Sequence, residues 1–215
     1  MTLIERIREK AAAGQPVLGA VWGAEEAAGA DFVVVRNSAR FPGLLVGMLP
    51  LGDANAIVLD LGREAIAAAK GAPVLAGLCA ADPMRHPDRL LDEVRAAGFA
   101  GVQNFPTVGL IDGAFRRSLE DTEFGFAREI DLIRAAARAD LFTAPLVFTP
   151  EEAVGMLEAG ADVLVAHAGL GPREGAARRI EASAEAARAA RKDAIVLAAG
   201  SGAGLPRNVQ GLMRP

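Results

Sequence analysis

Seven short apolar runs punctuate the chain, at residues 17–22, 32–35, 74–79, 101–105, 141–148, 163–168 and 195–199. None alternates strictly between apolar and polar positions, so each is predicted to be a strand buried on both faces, as in a parallel sheet. Helical spacing fills most of the gaps. Ile57, Val58, Leu61, Ala65 and Ala68 mark one face of a helix that Asp53 or Asn55 would cap. Leu90, Leu91, Val94 and Ala97 mark a second, opened by Pro87 and closed by Gly98. Ile130, Ile133, Arg134 and Ala137 belong to a third. Thr149-Pro150-Glu151-Glu152 reads as a capping box opening a helix that ends at Gly160, and an Ala- and Arg-rich segment over 176–191 supplies the last.

Sustained alternation of strand and helix predicts an α/β fold, either a closed TIM (β/α)8-type barrel or an open doubly wound sheet. Two features favour the barrel. Polar residues collect just after the strand ends, and no Gly-x-Gly-x-x-Gly follows the first strand. Only residues 201–215 follow the seventh strand, so the eighth βα unit is expected to be missing.

With 215 residues and no linker-like break in composition, the chain is expected to form a single domain over residues 1–215. A formal net charge of −4 argues against nucleic acid or an anionic membrane as partner. One cysteine cannot form an internal disulfide, the first residues lack the pattern of a signal peptide, and no apolar run is long enough to span a membrane. A cytoplasmic setting is expected.

In either parallel architecture ligands bind at the carboxyl ends of the strands, which directs attention to the polar residues there. After strand two, Arg36-Asn37-Ser38-Ala39-Arg40 offers two guanidiniums, an amide and a hydroxyl to an anion. Asp53 and Asn55 stand at a helix start, where free N–H groups also suit an anion. Cys79 reads as a buried structural thiol, and Asp82 as a metal ligand, a general base or a turn residue. Gln103 and Asn104 are amides inside an apolar strand, and alternation sends one of them toward the barrel axis. Asn104 is taken as catalytic and Thr107 as substrate-binding. His167, at the end of a buried strand, is a candidate proton donor or acceptor or a satisfied core imidazole. Gly200 and Ser201 open a glycine-rich loop that can bring N–H groups to a phosphate. The metal ligands stay unassigned.

The stretches Gly52-Asp53-Ala54-Asn55-Ala56-Ile57-Val58, Pro73 to Gly77 with Asp82-Pro83, and Gly101-Val102-Gln103-Asn104-Phe105-Pro106-Thr107-Val108-Gly109-Leu110-Ile111-Asp112-Gly113 closely resemble the phosphoenolpyruvate hydrolase-like TIM-barrel proteins. Ala159 to Asp162 and Val165-Ala166-His167 fit the same family, so the resemblance covers about residues 15–212. It implies a barrel related to the phosphoenolpyruvate mutase and isocitrate lyase superfamily. Such relatives act on small oxo-acids and phosphonates, making or breaking C–C or P–C bonds, usually with a divalent cation such as Mg2+. The mutase-like enzymes carry paired acids after strand three, whereas Ala80 and Ala81 here leave only Asp82. Arg36 stands where the family usually has Tyr, and Ala199 where it has His.

Two functions follow. One is an enzyme acting on a small anionic oxo-acid or phosphonate, with Arg36, Asn37, Ser38 and Arg40 holding the acid and Asp82 or His167 moving a proton. The other is a non-catalytic ligand-binding or assembly barrel, which could also serve in signal transduction. Because a wall missing from the barrel could come from another subunit, a homo-oligomer is expected.

Overall fold

A computed structural model describes residues 1–23, 29–39, 52–170, 174–200 and 205–215. The described elements, in chain order, begin with α1 (Leu3–Ala12), β1 (Val17–Val21), β2 (Phe32–Val35), α2 (Ala54–Ala68), β3 (Val74–Leu78) and α3 (Pro87–Ala96). They continue with β4 (Gly101–Asn104), α4 (Gly113–Asp121), α5 (Phe126–Arg138), β5 (Phe142–Thr143) and β6 (Leu146–Val147). The last are α6 (Pro150–Glu158), β7 (Val163–Ala166), α7 (Ala176–Ala190), β8 (Ile195–Ala199) and β9 (Gly211–Arg214).

All strand pairs are parallel, in the order β5-β4-β3-β2-β1-β9-β8-β7-β6. The two ends of that order, β5 and β6, are halves of one strand interrupted at Ala144 and Pro145. The first half pairs with β4 and the second with β7, so the sheet curls round into the expected barrel.

The eighth strand expected to be missing is present. β9 sits between β1 and β8, with Val17 opposite Gly211 and Leu197 opposite the same glycine. Its four residues alternate between buried and partly exposed positions and form no continuous apolar run, which hides the strand in the pattern. Gly211 makes the pairing feasible: a Cβ there would stand 1.8 Å from the carbonyl oxygen of Val17.

The burial pattern confirms strands covered on both faces. Val163 and Val165 of β7, with Ile195 and Leu197 of β8, fill the interior beside Phe32, Leu75 and Met213. Leu164, Ala166, Val196 and Ala198 face the helix layer instead. Helix α1 adds Ile7 to the interior cluster. Thr2 caps that helix reciprocally with Glu5, so that two otherwise unpaired N–H groups at the helix start are satisfied.

The other helix starts follow local chemistry. Asp53 caps α2 by accepting from the Ala56 N–H at 2.9 Å. Thr149 caps α6, but the capping box read from the sequence is only half made. Glu152 accepts from the Phe148 N–H, one residue before the cap, and binds Arg116 with its other oxygen.

Candidate functional site

Strand ends converge on a cavity of about 140 Å³ at the C-terminal mouth of the barrel. Arg36 from β2, Phe105 from β4, Phe148 from β6, His167 from β7, Ala199 and Gly200 from β8, and Met213 and Arg214 from β9 all reach it. Leu110, Leu146 and Pro215 complete the wall, and no acidic side chain lines the cavity among the described residues.

Arg36 is, with Arg214, one of two guanidiniums at this cavity. Its Nε and Nη2 both donate to Oε1 of Gln103, at 3.1 and 2.5 Å, and Phe105 stacks on its guanidinium at 4.4 Å. Gln103 is fully buried and donates its own NH2 group to the Ala144 carbonyl at 2.8 Å. No carboxylate pairs with Arg36 among the described residues, and burial pulls its pKa down to about 10. A desolvated cation held rigidly without an ion-pair partner is chemically suited to take an anion.

His167 shares the cavity. Its Nδ1 accepts from the Gly169 N–H at 2.9 Å, which assigns the proton of the neutral ring to Nε2. Burial lowers its pKa, and the Arg36 charge lowers it further. The ring lies 5.3 Å from that of Phe148. At neutral pH His167 is therefore an uncharged N–H donor.

Behind the mouth lies a second polar network. Asn104 points to the helix layer, where its amide N–H groups donate to Glu129 and to the Leu146 carbonyl and its oxygen accepts from the Leu146 N–H. Thr107 donates to Glu129 at 2.7 Å and accepts from Gly109, while the Val108 N–H supplies a third bond to Glu129. Burial pushes the Glu129 carboxyl up to about 7, against the opposing pull of those three donors. Asn104 and Thr107 do not line the mouth cavity; their polar atoms hold the segment that carries Phe105 and Leu110 into it.

A third group lies to one side, around a separate cavity of about 280 Å³ lined by Asp53, Asn55, Cys79 and Asp82. Asn55 is fully buried and brackets Cys79, accepting from its N–H and donating to its carbonyl, with a further bond to Asp82 at 2.9 Å. Arg85 bridges Asp53 at 2.5 Å and Asp82 at 3.4 Å. Its bond holds the Asp53 carboxyl below the usual range. The Cys79 thiol is pushed up to about 11 by burial, as a structural thiol would be.

These donors do not fit a divalent cation. No three His, Cys, Asp or Glu side chains converge among the described residues, and the two aspartates are already bridged by a guanidinium. Of the other residues singled out in the sequence, Asn37 is fully buried with neither amide atom hydrogen-bonded, and Ser38 is partly buried beside it. Neither lines the mouth cavity. Arg40 and Ser201 lie outside the described residues. Gln103, which orients Arg36, is marked in the sequence only by its polar side chain inside an apolar strand.

A model of the phosphoenolpyruvate hydrolase-like family matches residues 2–214. The chain is 47% identical over 178 residues to the ToMV resistance protein Tm-1(GCR237) of Solanum lycopersicum, covering 78% of this chain and 24% of that protein. The ToMV susceptible protein tm-1(GCR26) of the same plant is 46% identical over 180 residues, covering 79% and 24%. The chain thus spans about a quarter of the length of these curated relatives.

Among solved structures, a 2,3-dimethylmalate lyase of the PEP mutase/isocitrate lyase superfamily is similar with a TM-score of 0.60 at 13% identity, covering 100% of this chain and 81% of that one. A phosphonopyruvate hydrolase in complex with oxalate and Mg2+ gives 0.59 at 17% identity, covering 93% and 72%. These likenesses establish the barrel fold.

Proposed function

The chain belongs to the phosphoenolpyruvate hydrolase-like family, and from that premise we propose that its barrel is an enzyme domain that binds a small anionic oxo-acid at Arg36 and cleaves or forms a bond beside the oxo group. The observation that carries this reading is the Arg36 guanidinium, desolvated in the mouth, oriented by Gln103 and without a carboxylate partner among the described residues.

The bound acid places its carboxylate on the free edge of Arg36 and its oxo oxygen near the His167 Nε2–H. As a C–C or P–C bond breaks, the bonding pair passes to the oxo-acid fragment as its enolate, while the other fragment leaves as a carbonyl compound that loses its hydroxyl proton to solvent, or as phosphate formed by attack of water at phosphorus. The negative charge that grows on the enolate oxygen is stabilised by the neutral imidazole N–H and the guanidinium, and the enolate takes its final proton from water. Asp82 is bonded to Asn55 and Arg85 and lies off the cavity. No step is assigned to a metal, given the donor set.

The test is a turnover and thermal-shift screen of oxo-acids, including oxaloacetate and phosphonopyruvate, with Mg2+ and separately with EDTA. Stabilisation and turnover that vanish in Arg36→Gln are expected; neither effect with any acid would remove the enzyme reading.

The strong identity to the Tm-1 proteins, whose names describe virus resistance and susceptibility, favours a second reading of a non-catalytic ligand-binding or assembly barrel. Stabilisation by an acid without turnover would select it. The cytoplasmic setting rests on the lone buried thiol and on the absence of a membrane-spanning helix among the described residues. The homo-oligomer expected from a missing wall loses that ground, since β9 fills the gap between β1 and β8; gel filtration with light scattering tests it.

A further inference from the structure

Two carboxylates meet beside the end of β3, Asp53 from the start of α2 and Asp82 from the loop between β3 and α3. The cation between them belongs to the chain itself. Nη1 of Arg85 lies 2.5 Å from Oδ1 of Asp53 and 3.4 Å from Oδ2 of Asp82, so one nitrogen serves both acids. Its bond to Asp53 lowers the pKa of that carboxyl and raises its own.

The other polar atoms of the cluster offer N–H groups, where a metal ion would need oxygens. Oδ1 of Asp82 accepts from the Met84 N–H at 2.8 Å, and its Oδ2 accepts from the Asn55 amide at 2.9 Å. Oδ1 of Asp53 accepts from the Ala56 N–H at 2.9 Å besides Arg85. The backbone of Cys79 dictates how the buried Asn55 amide is turned. Its oxygen takes the Cys79 N–H at 2.9 Å and its nitrogen donates to the Cys79 carbonyl at 3.2 Å. A flipped amide would set its NH2 group against the Cys79 N–H. Asn55 therefore shows Asp82 a donor, whereas hard divalent cations take oxygen ligands. Burial keeps the Cys79 thiol protonated, so sulfur supplies no ligand either.

There is nonetheless room here for a small ion once the guanidinium is gone. Cys79 and Asp82 line both a cavity of about 280 Å³ and another of about 490 Å³, and Arg85 lines only the second. Asp53 is half-exposed and free to adjust. Without Arg85 the two carboxylates would face each other with no counter-cation among the described residues.

We infer that Arg85 is the resident cation of this cluster, standing where a divalent ion would bridge Asp53 and Asp82, and that it closes this rim to Mg2+. The loop after β3 is thereby pinned to the start of α2 whatever the supply of divalent ions. This assignment does not rest on the reading of Arg36.

Electron paramagnetic resonance of Mn2+ added to the whole chain tests it, because Mn2+ takes the same oxygen ligands as Mg2+. The parent should show no Mn2+ binding that Asp82→Asn removes, up to about millimolar metal. Arg85→Ala should gain one site, at least about tenfold tighter than any such binding in the parent, and Mn2+ should raise the melting temperature of this variant alone. Adding Asp82→Asn to Arg85→Ala should abolish both gains, and Arg85→Lys, which keeps a cation in place, should stay closed to Mn2+. Arg85→Met retains the apolar stem and serves if the alanine variant does not fold. A Mn2+ site in the parent that Asp82→Asn removes would overturn the assignment. So would a folded Arg85→Ala or Arg85→Met protein that neither binds Mn2+ nor is stabilised by it.

Discussion

The side chain of Asn104 pairs with the backbone of Leu146 as a neighbouring strand would. Its oxygen accepts the Leu146 N–H at 2.7 Å and its nitrogen donates to the Leu146 carbonyl at 3.1 Å. This junction lies where the barrel passes from the β4–β5 pairing to the β6–β7 pairing, so one amide bridges the interruption at Ala144 and Pro145. Asn104→Ala strands two buried backbone groups and deprives Glu129 of a donor. The cost is expected to be roughly 3–5 kcal/mol in urea unfolding. A loss below about 1 kcal/mol would contradict this bridging role.

Gln103 performs a different service for Arg36, and a one-atom change should expose it. Gln103→Glu places a carboxylate where the amide oxygen now accepts, supplying the ion pair that Arg36 lacks. It also loses the bond to the Ala144 carbonyl. Binding of small acids is expected to weaken by at least about tenfold, because the cation is already neutralised, while the protein stays folded. Titration of the variant beside the parent, with circular dichroism as the folding control, reads both effects.

Glu129 should make stability depend on pH in a direction unusual for a carboxylate. Its folded pKa is raised, to about 7 from an ordinary 4.5, so the folded state holds the proton more tightly than the unfolded chain. Its favourable contribution is complete below about 4.5 and is lost as pH rises through about 7. The full span corresponds to about 3 kcal/mol. Melting measured across that window should show this loss in the parent and not in Glu129→Gln, which is destabilised overall because its NH2 group meets donors. Parallel curves for the two proteins would show that Glu129 does not titrate there.

His167→Ala separates chemistry from binding. The His167 N–H stabilises the developing enolate oxygen, so turnover should fall about 10²–10³-fold while oxo-acid affinity changes by less than about tenfold. Because burial and Arg36 lower its pKa, the parent's rate should show no His167 titration on the alkaline side of neutrality. An alkaline limb that disappears in the variant would contradict the neutral-donor assignment.

The parts legible in the sequence were those written as continuous apolar runs or helical stripes. Seven strands were readable because both faces are buried, α2, α3 and α5 because their apolar positions recur at helical spacing, α6 from its capping signals and closing glycine, and α7 from its Ala- and Arg-rich composition. Helix α4 has no buried residue and so left no stripe. In β9, four residues interrupted by outward positions were too few to register.

At the site, Arg36, His167 and Gly200 could be placed by position alone, since all follow strands that end at the same rim. The amide pair shows where position was not enough. Alternation required one of Gln103 and Asn104 to face inward, but only the structure shows that Gln103 does so and that Asn104 faces α5. The partners that decide the matter, Arg36 and Glu129, are remote in sequence.

The pairing of β1 with β9 has a consequence for how the chain is made. Residues 17–20 and 211–214 lie side by side, so residues 21–210 form the loop between them. On a ribosome, β1 has no partner on that side until residues 211–214 have been made, whereas β8 waits only over residues 200–210. Long-range parallel pairing is slow to form, and unpaired edges invite association with other chains. A nascent barrel of this design therefore carries the open edge of β1 until one short strand fills the gap between it and β8.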